Sequence, residues 1–191
     1  MLRNGLRFFV GALVGALLWW FAAPAYDAVV GAAAEPILRL DARFHDADTA
    51  ERGRWVLVRS AGGKFRMATL PVDQMTYNVI LFIALLATVR RPRWGRVAIA
   101  VAVLFLSHVI TFVVGTESLY ASGRDPASME ANAWMMGNLF FRVVGMLAIA
   151  FGCWWWVAVA GSARSMQPTK GHALERPRAT RRRRAGGRGA R

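Results

Sequence analysis

Two apolar runs in this chain are separated by the strongly basic segment RRPRWGR at residues 90–96. Apolar residues dominate positions 77–89 before this segment and positions 97–115 after it. Two further apolar runs cover residues 6–23 and 137–160. A helix needs about 20 mostly apolar residues to cross the hydrocarbon core of a bilayer. We therefore predict an all-α membrane protein with four transmembrane helices, of which the one at 77–89 is the shortest.

The charge distribution predicts how these helices are oriented. Arg3 and Arg7 precede the first run, the segment 90–96 lies between the second and third runs, and an arginine-rich tail follows the fourth. These segments hold most of the 25 Lys and Arg residues, and Glu175 is their only acid. Lys and Arg close to the ends of a span resist translocation. The sequence thus predicts that both termini lie in the cytoplasm.

Composition agrees with the membrane class. The chain has 191 residues and a net charge of +14, and 55% of its residues are hydrophobic. Its mean hydropathy of +0.32 is too high for an ordinary soluble domain unless the apolar residues are grouped into spans. The positive charge lies beside the spans and in the tail, where anionic lipid accounts for it, so nucleic acid is an unlikely partner.

Residues 1–163 are expected to form the membrane domain, and residues 164–191 a disordered cytoplasmic tail, because the tail has almost no apolar surface to bury. Membrane lipids are the expected partners of the basic residues. The predicted contacts with anionic lipid are Arg90, Arg91, Arg93, Arg181, Arg182, Arg183 and Arg184.

The first and second runs each allow two interpretations. Small residues follow the first run, as in a cleaved signal peptide, but Trp19 and Trp20 near its end favour a retained membrane anchor. The second run would span only about 20 Å as a helix, at about 1.5 Å per residue, against a hydrocarbon core of about 30 Å. To cross, it must recruit residues 72–76 or extend Arg90 and Arg91 toward the headgroups.

The external segment, residues 24–75, is long enough to hold structure of its own. Apolar residues at helical spacing predict an amphipathic helix over 28–43, bent or interrupted at Pro36. An acidic, solvated patch follows at 46–51. Two β-prone stretches, 54–59 and 64–69, flank a glycine turn and predict a hairpin. The hairpin either binds a partner or packs as a lid on its own helices, and the sequence leaves both interpretations open.

Polar residues are rare within the runs, and five of them define a candidate intramembrane pocket: Asn78, His108, Thr111, Asn138 and Arg142. Asn138 and Arg142 are four residues apart and so share a helix face. A charge inside the bilayer is costly, which favours a cavity or a polar partner for Arg142. In the alternative interpretation Arg142 reaches the lipid headgroups and His108 is hydrogen-bonded between helices.

The sequence predicts no catalytic site, metal site or cofactor. A cysteine nucleophile needs a base within hydrogen-bond reach, but Cys153 and His108 are expected to differ in depth by a helical turn or more. The histidines His45, His108 and His172 are expected outside, within and inside the membrane respectively, so they cannot share a metal ion. Gly11 and Gly15 form a small-residue face that favours close helix packing.

Residues 76–88, TYNVILFIALLAT, resemble a segment of small membrane proteins associated with exosortases, particularly the exosortase H-associated family. Those proteins are also similar in having an N-terminal span, a sizeable external segment and further spans. The resemblance implies a non-enzymatic accessory or scaffold protein of the bacterial inner membrane, accompanying a system that cleaves C-terminal anchors from exported proteins. It implies an exosortase or another membrane protein as partner. The chain differs from that family in lacking a proline in the middle of the second run and in its arginine tail.

Overall fold

The computed structural model describes residues 2–52, 55–60 and 68–162 of the chain. It begins with helix α1 (Leu2–Leu38), followed by strands β1 (Ala47–Arg52), β2 (Trp55–Ser60) and β3 (Ala68–Leu70). Helices α2 (Val72–Met75), α3 (Asn78–Leu86), α4 (Trp94–Arg124), α5 (Met129–Phe140) and α6 (Met146–Ser162) complete it, with a short π-helix (Phe141–Gly145) joining α5 to α6. The predicted tail, including Arg181, Arg182, Arg183 and Arg184, lies outside the described residues, as does most of the predicted hairpin turn.

Among the described residues, three helices are long and apolar enough to cross a membrane: Leu2–Leu38, Trp94–Arg124 and the continuous Met129–Val159. They correspond to the first, third and fourth predicted spans. The second run forms only the nine-residue α3, which is about 13 Å long at about 1.5 Å per residue. That length is less than half of a hydrocarbon core of about 30 Å. The predicted fourth crossing is therefore not confirmed.

The second run is short because its outer extension does not join it. Residues 72–75 form the separate turn α2, and the Thr76 hydroxyl donates a hydrogen bond to the Val72 carbonyl at 3.1 Å. The amide of Val79 then bonds the Thr76 carbonyl at 3.1 Å. The chain thus turns at Thr76 and Tyr77 instead of continuing as one helix into α3.

The length of helix α1 corrects one prediction made for residues 24–75. A separate amphipathic helix over 28–43 is wrong, because α1 continues without interruption to Leu38 and contains both Pro24 and Pro36. Alanine is frequent between residues 22 and 34, and it is the strongest helix former. The 37-residue helix is about 55 Å long at about 1.5 Å per residue. Its second half therefore contributes to the buried cluster under the sheet instead of ending before a separate element.

Helix α3 packs closely against the first half of α1. A Cβ atom added to Gly11 would lie 2.6 Å from the Cβ of Ala87 and 3.1 Å from the Cα of Ala84. One added to Gly15 would lie 3.3 Å from Ile83. All three distances are shorter than an ordinary van der Waals contact between carbon atoms. The packing role predicted for Gly11 and Gly15 is confirmed.

The segment predicted to be external forms a three-stranded antiparallel sheet of order β1-β2-β3, one strand more than the predicted hairpin. The pairing of β2 with β3 agrees with that hairpin, since Val56 pairs with Leu70 and Val58 with Ala68. The acidic patch at 46–51, predicted to be solvated, is instead largely strand β1. In this strand Ala47 is buried, and Asp48 forms an ion pair with Arg59 across the sheet at 2.6 Å.

Two buried clusters follow one another along the bundle. The first lies under the sheet and joins α1, α2, α4 and the strands through residues such as Val30, Leu38, Phe44, Val58 and Phe112. The second joins α3, α4 and α6 through Phe82, Val97, Ala100, Leu104, Ala150, Cys153 and Val157. The sheet therefore packs one face on its own helices, as the lid interpretation expects.

Candidate functional site: a buried polar network between the helices

A chain of short hydrogen bonds joins three helices where the two buried clusters meet. The Tyr26 hydroxyl on α1 lies 2.6 Å from Nδ1 of His108 on α4. Nε2 of the same imidazole lies 2.6 Å from Oδ1 of Asn78, the first residue of α3. An amide oxygen can only accept a hydrogen bond, so Nε2 donates to Asn78 and Nδ1 accepts from Tyr26. The neutral imidazole satisfies both bonds at once.

The network continues to the first residue of α6. Nδ2 of Asn78 donates to the Met146 carbonyl oxygen at 3.4 Å and lies 3.4 Å from the Met146 sulfur. The hydroxyls of Ser107 and Thr111 donate to carbonyls of their own helix at 2.7 Å and lie 3.8 Å and 3.9 Å from the same sulfur. Met146 therefore joins α6 to both α3 and α4.

The centre of the network is closed to solvent. Asn78, Thr111 and Met146 are 0% exposed, and His108 is 1% exposed. Tyr26 is half-buried and packs against two rings, with centroid distances of 5.1 Å to Trp19 and 6.0 Å to Phe105. Three of the predicted pocket residues thus meet in a packed interior, where hydrogen bonds are strong and unpaired polar groups are costly.

The other two predicted pocket residues precede Met146 in the last long helix, Asn138 in α5 and Arg142 in the π-helix. Oδ1 of Asn138 is buried, accepts no hydrogen bond from the described residues, and lies 4.0 Å from where a Cβ on Gly115 would be. Arg142 is half-buried within the π-helix, and its carbonyl accepts a hydrogen bond from the Tyr77 hydroxyl at 3.3 Å. In the described part of the chain, no side chain pairs with the Arg142 guanidinium.

Sequence reasoning missed Tyr26, its fully buried neighbour Asp27, and Met146. The first two were assigned to the external segment because the apolar run was ended at Ala23. The alanine-rich continuation to residue 34 was the signal that the helix extends further. Met146 carried no signal, because a methionine in an apolar run is usually an ordinary packing residue.

A second cluster, the Arg43 cluster, lies at the sheet end of the bundle. The Arg43 guanidinium forms ion pairs with Asp41 at 2.6 Å, Glu117 at 3.0 Å and Glu130 at 3.5 Å. The central carbon of this guanidinium, Cζ, lies 5.6 Å from the ring centroids of both Phe44 and Tyr120. The side-chain hydrogen bonds from Arg43 hold the pKa of the Asp41 carboxyl below its ordinary value of 3.8.

The Arg43 cluster fastens the connection after α1 to α4 and α5. Sequence analysis did not find it because its members are far apart in the chain. Arg43 and Glu117 are 74 positions apart, and no spacing rule links them.

The remaining predicted positions lie at the opposite end. Arg90, Arg91 and Arg93 are exposed in the connection between α3 and α4. They line a cavity together with Asn4 near the start of α1 and Val157 near the end of α6. The start of α1, the 90–93 connection and the last turns of α6 therefore lie at the same end of the bundle.

The described residues place the single cysteine away from the histidine. Sγ of Cys153 contacts the Ala100 carbonyl at 3.8 Å. Ala100 precedes His108 by eight positions on α4, which is about 12 Å along the helix axis at about 1.5 Å per residue. No group of three or more His, Cys, Asp or Glu side chains in the described ranges is arranged to hold a metal ion.

Comparisons with protein-family models, with curated proteins and with solved structures found no significant match for this chain.

Proposed function

We propose that this protein is a non-enzymatic accessory or scaffold protein of the bacterial inner membrane, with both termini in the cytoplasm. Its three membrane-length helices support the membrane location. The orientation is supported by the position of the basic segments. Asn4 and the arginines of the 90–93 connection share one cavity with residues near the end of α6, and Lys and Arg next to spans favour the cytoplasm.

One observation carries the scaffold proposal: both ring nitrogens of His108 are held in hydrogen bonds of 2.6 Å within a closed interior. A general base must reach the proton of a substrate or of a nucleophile. The imidazole of His108 instead joins α1, α3 and α4 through its bonds to Tyr26 and Asn78. This is the role that a polar residue performs when it fixes helix–helix packing inside a membrane.

For the partner, we propose an exosortase-type sorting protease. The support is the resemblance of residues 76–88 to exosortase-associated proteins. That segment covers α3, which lies at the centre of the bundle and contributes Asn78 to the polar network. The segment would then maintain the fold, and the sheet with the Arg43 cluster would be the part offered to the partner on the external side.

Copurification from native membranes tests this partner. Full-length protein with an affinity tag is crosslinked in its own bacterium, purified, and searched for an exosortase. The proposal predicts that an exosortase is enriched over a control purification with an unrelated tagged inner-membrane protein. It also predicts that exported proteins keep their C-terminal anchors when the gene is deleted. Equal recovery in both purifications, with normal anchor removal in the deletion strain, would refute it.

A second candidate function is binding of a small anionic ligand or lipid around Arg142. The observation that favours it is that this half-buried guanidinium lies in a π-helix and pairs with no described side chain. Short π-helices occur frequently at functional sites. In this case Arg142→Leu abolishes function while membrane insertion is kept, and Arg142→Lys also fails because it cannot form two parallel hydrogen bonds. Full activity of the leucine variant would exclude this function.

A further inference from the structure

A large opening with a basic lining lies at one end of the bundle. It is a cavity of about 840 Å³ between the start of α1, the connection from α3 to α4, and the last turns of α6. Ligand sites typically have volumes of about 300 to 1,000 Å³. The lining residues are Asn4, Thr88, Val89, Arg90, Arg91, Pro92, Arg93, Trp154, Val157 and Ala158. We call this space the arginine cavity.

The charge of the arginine cavity has one sign. Arg90, Arg91 and Arg93 contribute three guanidinium groups, and no carboxylate is among the lining residues that the structure describes. Within the described parts of the chain, no acidic side chain forms an ion pair with any of the three. A guanidinium presents a planar set of N–H donors that matches two oxygens of a phosphate group. The cavity is therefore suited to a phosphate-bearing ligand.

One residue of the same wall carries a further donor. Nε1 of Trp154 is buried and has no hydrogen-bond acceptor among the described residues. An indole N–H can only donate, and a buried donor without a partner costs about 1–3 kcal/mol. An oxygen of a bound headgroup would satisfy it.

The rest of the lining is apolar, with Val89, Pro92, Val157 and Ala158 beside the arginines. Free phosphate gains nothing from such a wall. A phospholipid does, because its glycerol and first methylene groups lie directly next to its phosphate. Basic pockets between transmembrane helices on the cytoplasmic side bind the headgroups of anionic lipids in this way.

We propose that the arginine cavity binds one anionic phospholipid, with its phosphate held by Arg91 and Arg93 and its glycerol region against Val157. The inference rests on the membrane location and orientation of the proposed function but not on the exosortase partner. Unlike general adhesion of the tail to a charged leaflet, it specifies a single site with a stoichiometry of one.

Native mass spectrometry of the full-length protein tests the site. The protein is purified in detergent and titrated with phosphatidylglycerol or with phosphatidylcholine. One phosphatidylglycerol should remain bound, with an affinity at least tenfold above that for phosphatidylcholine. Substituting Arg91→Gln and Arg93→Gln together should weaken binding about 25-fold, since each cation near an anionic headgroup contributes about fivefold, or about 1 kcal/mol. Trp154→Phe should weaken binding about threefold, because phenylalanine keeps an aromatic ring but lacks the N–H donor.

The matched control substitutes Arg3→Gln and Arg7→Gln, which removes the same charge at the same end of the bundle but outside the lining. This variant, and a chain truncated after Thr169, should retain the bound lipid. Equal weakening in the control pair, loss of binding on truncation, or displacement of the lipid by millimolar inorganic phosphate would each overturn the proposal. Circular dichroism of every variant excludes loss of fold as the cause. A failure here would leave the exosortase copurification result unaffected.

Discussion

The hydroxyl of Tyr26 and Nδ1 of His108 form a 2.6 Å hydrogen bond between residues 82 positions apart in the chain. This bond joins the middle of α1 to the middle of α4, beside the Asn78 contact that brings in α3. These polar contacts, together with apolar packing, thus fix the positions of α1, α3 and α4 relative to one another along the bundle axis. Depth matters in a membrane, because apolar contacts alone allow helices to slide past one another.

The first prediction concerns this bond. Tyr26→Phe keeps the ring but leaves Nδ1 of His108 without its donor in a buried site, which typically costs about 1–3 kcal/mol. We expect the free energy of unfolding, measured in detergent by titration with sodium dodecyl sulfate, to fall by that amount.

The matched control for this substitution is Tyr77→Phe. The Tyr77 hydroxyl donates a longer bond of 3.3 Å to the Arg142 carbonyl, and Tyr77 is 41% exposed. Its loss should cost less than about 0.5 kcal/mol, because water or a lipid headgroup can replace it. If the two variants lose the same stability, the Tyr26–His108 bond does not stabilise the bundle as described.

A second prediction tests the contact between α1 and α3. Gly11→Ala places a methyl group 2.6 Å from the Cβ of Ala87, which forces the two helices apart. Overpacking of this kind costs about 1–3 kcal/mol. The control is Gly5→Ala on the same helix, where nothing lies within 4 Å. Alanine is the better helix former, so this control should be neutral or slightly stabilising, and destabilisation of both variants to the same degree would contradict the packing.

A third prediction concerns the Arg43 cluster. Arg43→Met removes the cation that pairs with Glu117, a carboxylate whose side chain is only 9% exposed. We expect a loss of about 2 kcal/mol at pH 7, below the about 3–5 kcal/mol of a fully buried pair because Arg43 is 33% exposed. The control Arg39→Met breaks an i,i+4 pair with Glu35 on a side chain that is 50% exposed. That loss should stay below about 1 kcal/mol.

The acid dependence of Asp41 gives a fourth prediction. Its pKa is lowered in the folded protein, so the carboxylate contributes stability above the ordinary value of 3.8 and loses it as the pH falls through the folded pKa. Asp41→Asn should therefore be less stable than the native protein at pH 7, and this difference should shrink as the pH falls below 3.8. A difference between the two proteins that is unchanged at pH 2 would show that Asp41 does not titrate as described.

How much of this fold could be predicted depended on the range of the interactions involved. Hydropathy located the three long spans, and the shortness of the run at 77–89 warned that α3 would not match them. Grouping the rare polar residues of the spans identified His108, Asn78 and Thr111, which do meet. Polar groups in an apolar interior need partners, and few candidates are available there.

The features that the sequence analysis misjudged or missed have a common physical cause. Ending the first run at Ala23 separated Tyr26 from the helix that carries it to His108. Taking the acids of residues 46–51 as a solvated patch missed their pairing with β2 as strand β1. The Arg43 cluster depends on contacts between distant segments, which no local pattern encodes. In each case tertiary packing decided the outcome where local composition pointed elsewhere.

The most direct test of the account is a pair of reporter fusions that determines which end of the bundle faces the cytoplasm. Alkaline phosphatase, which is active only outside the cytoplasm, is fused after Arg93 in one chain and after Ser128 in another. The account predicts no phosphatase activity from the Arg93 fusion and high activity from the Ser128 fusion, because the positive charge holds the 90–93 connection inside. High activity from the Arg93 fusion would contradict the proposed orientation and, with it, the arginine cavity as a cytoplasmic lipid site.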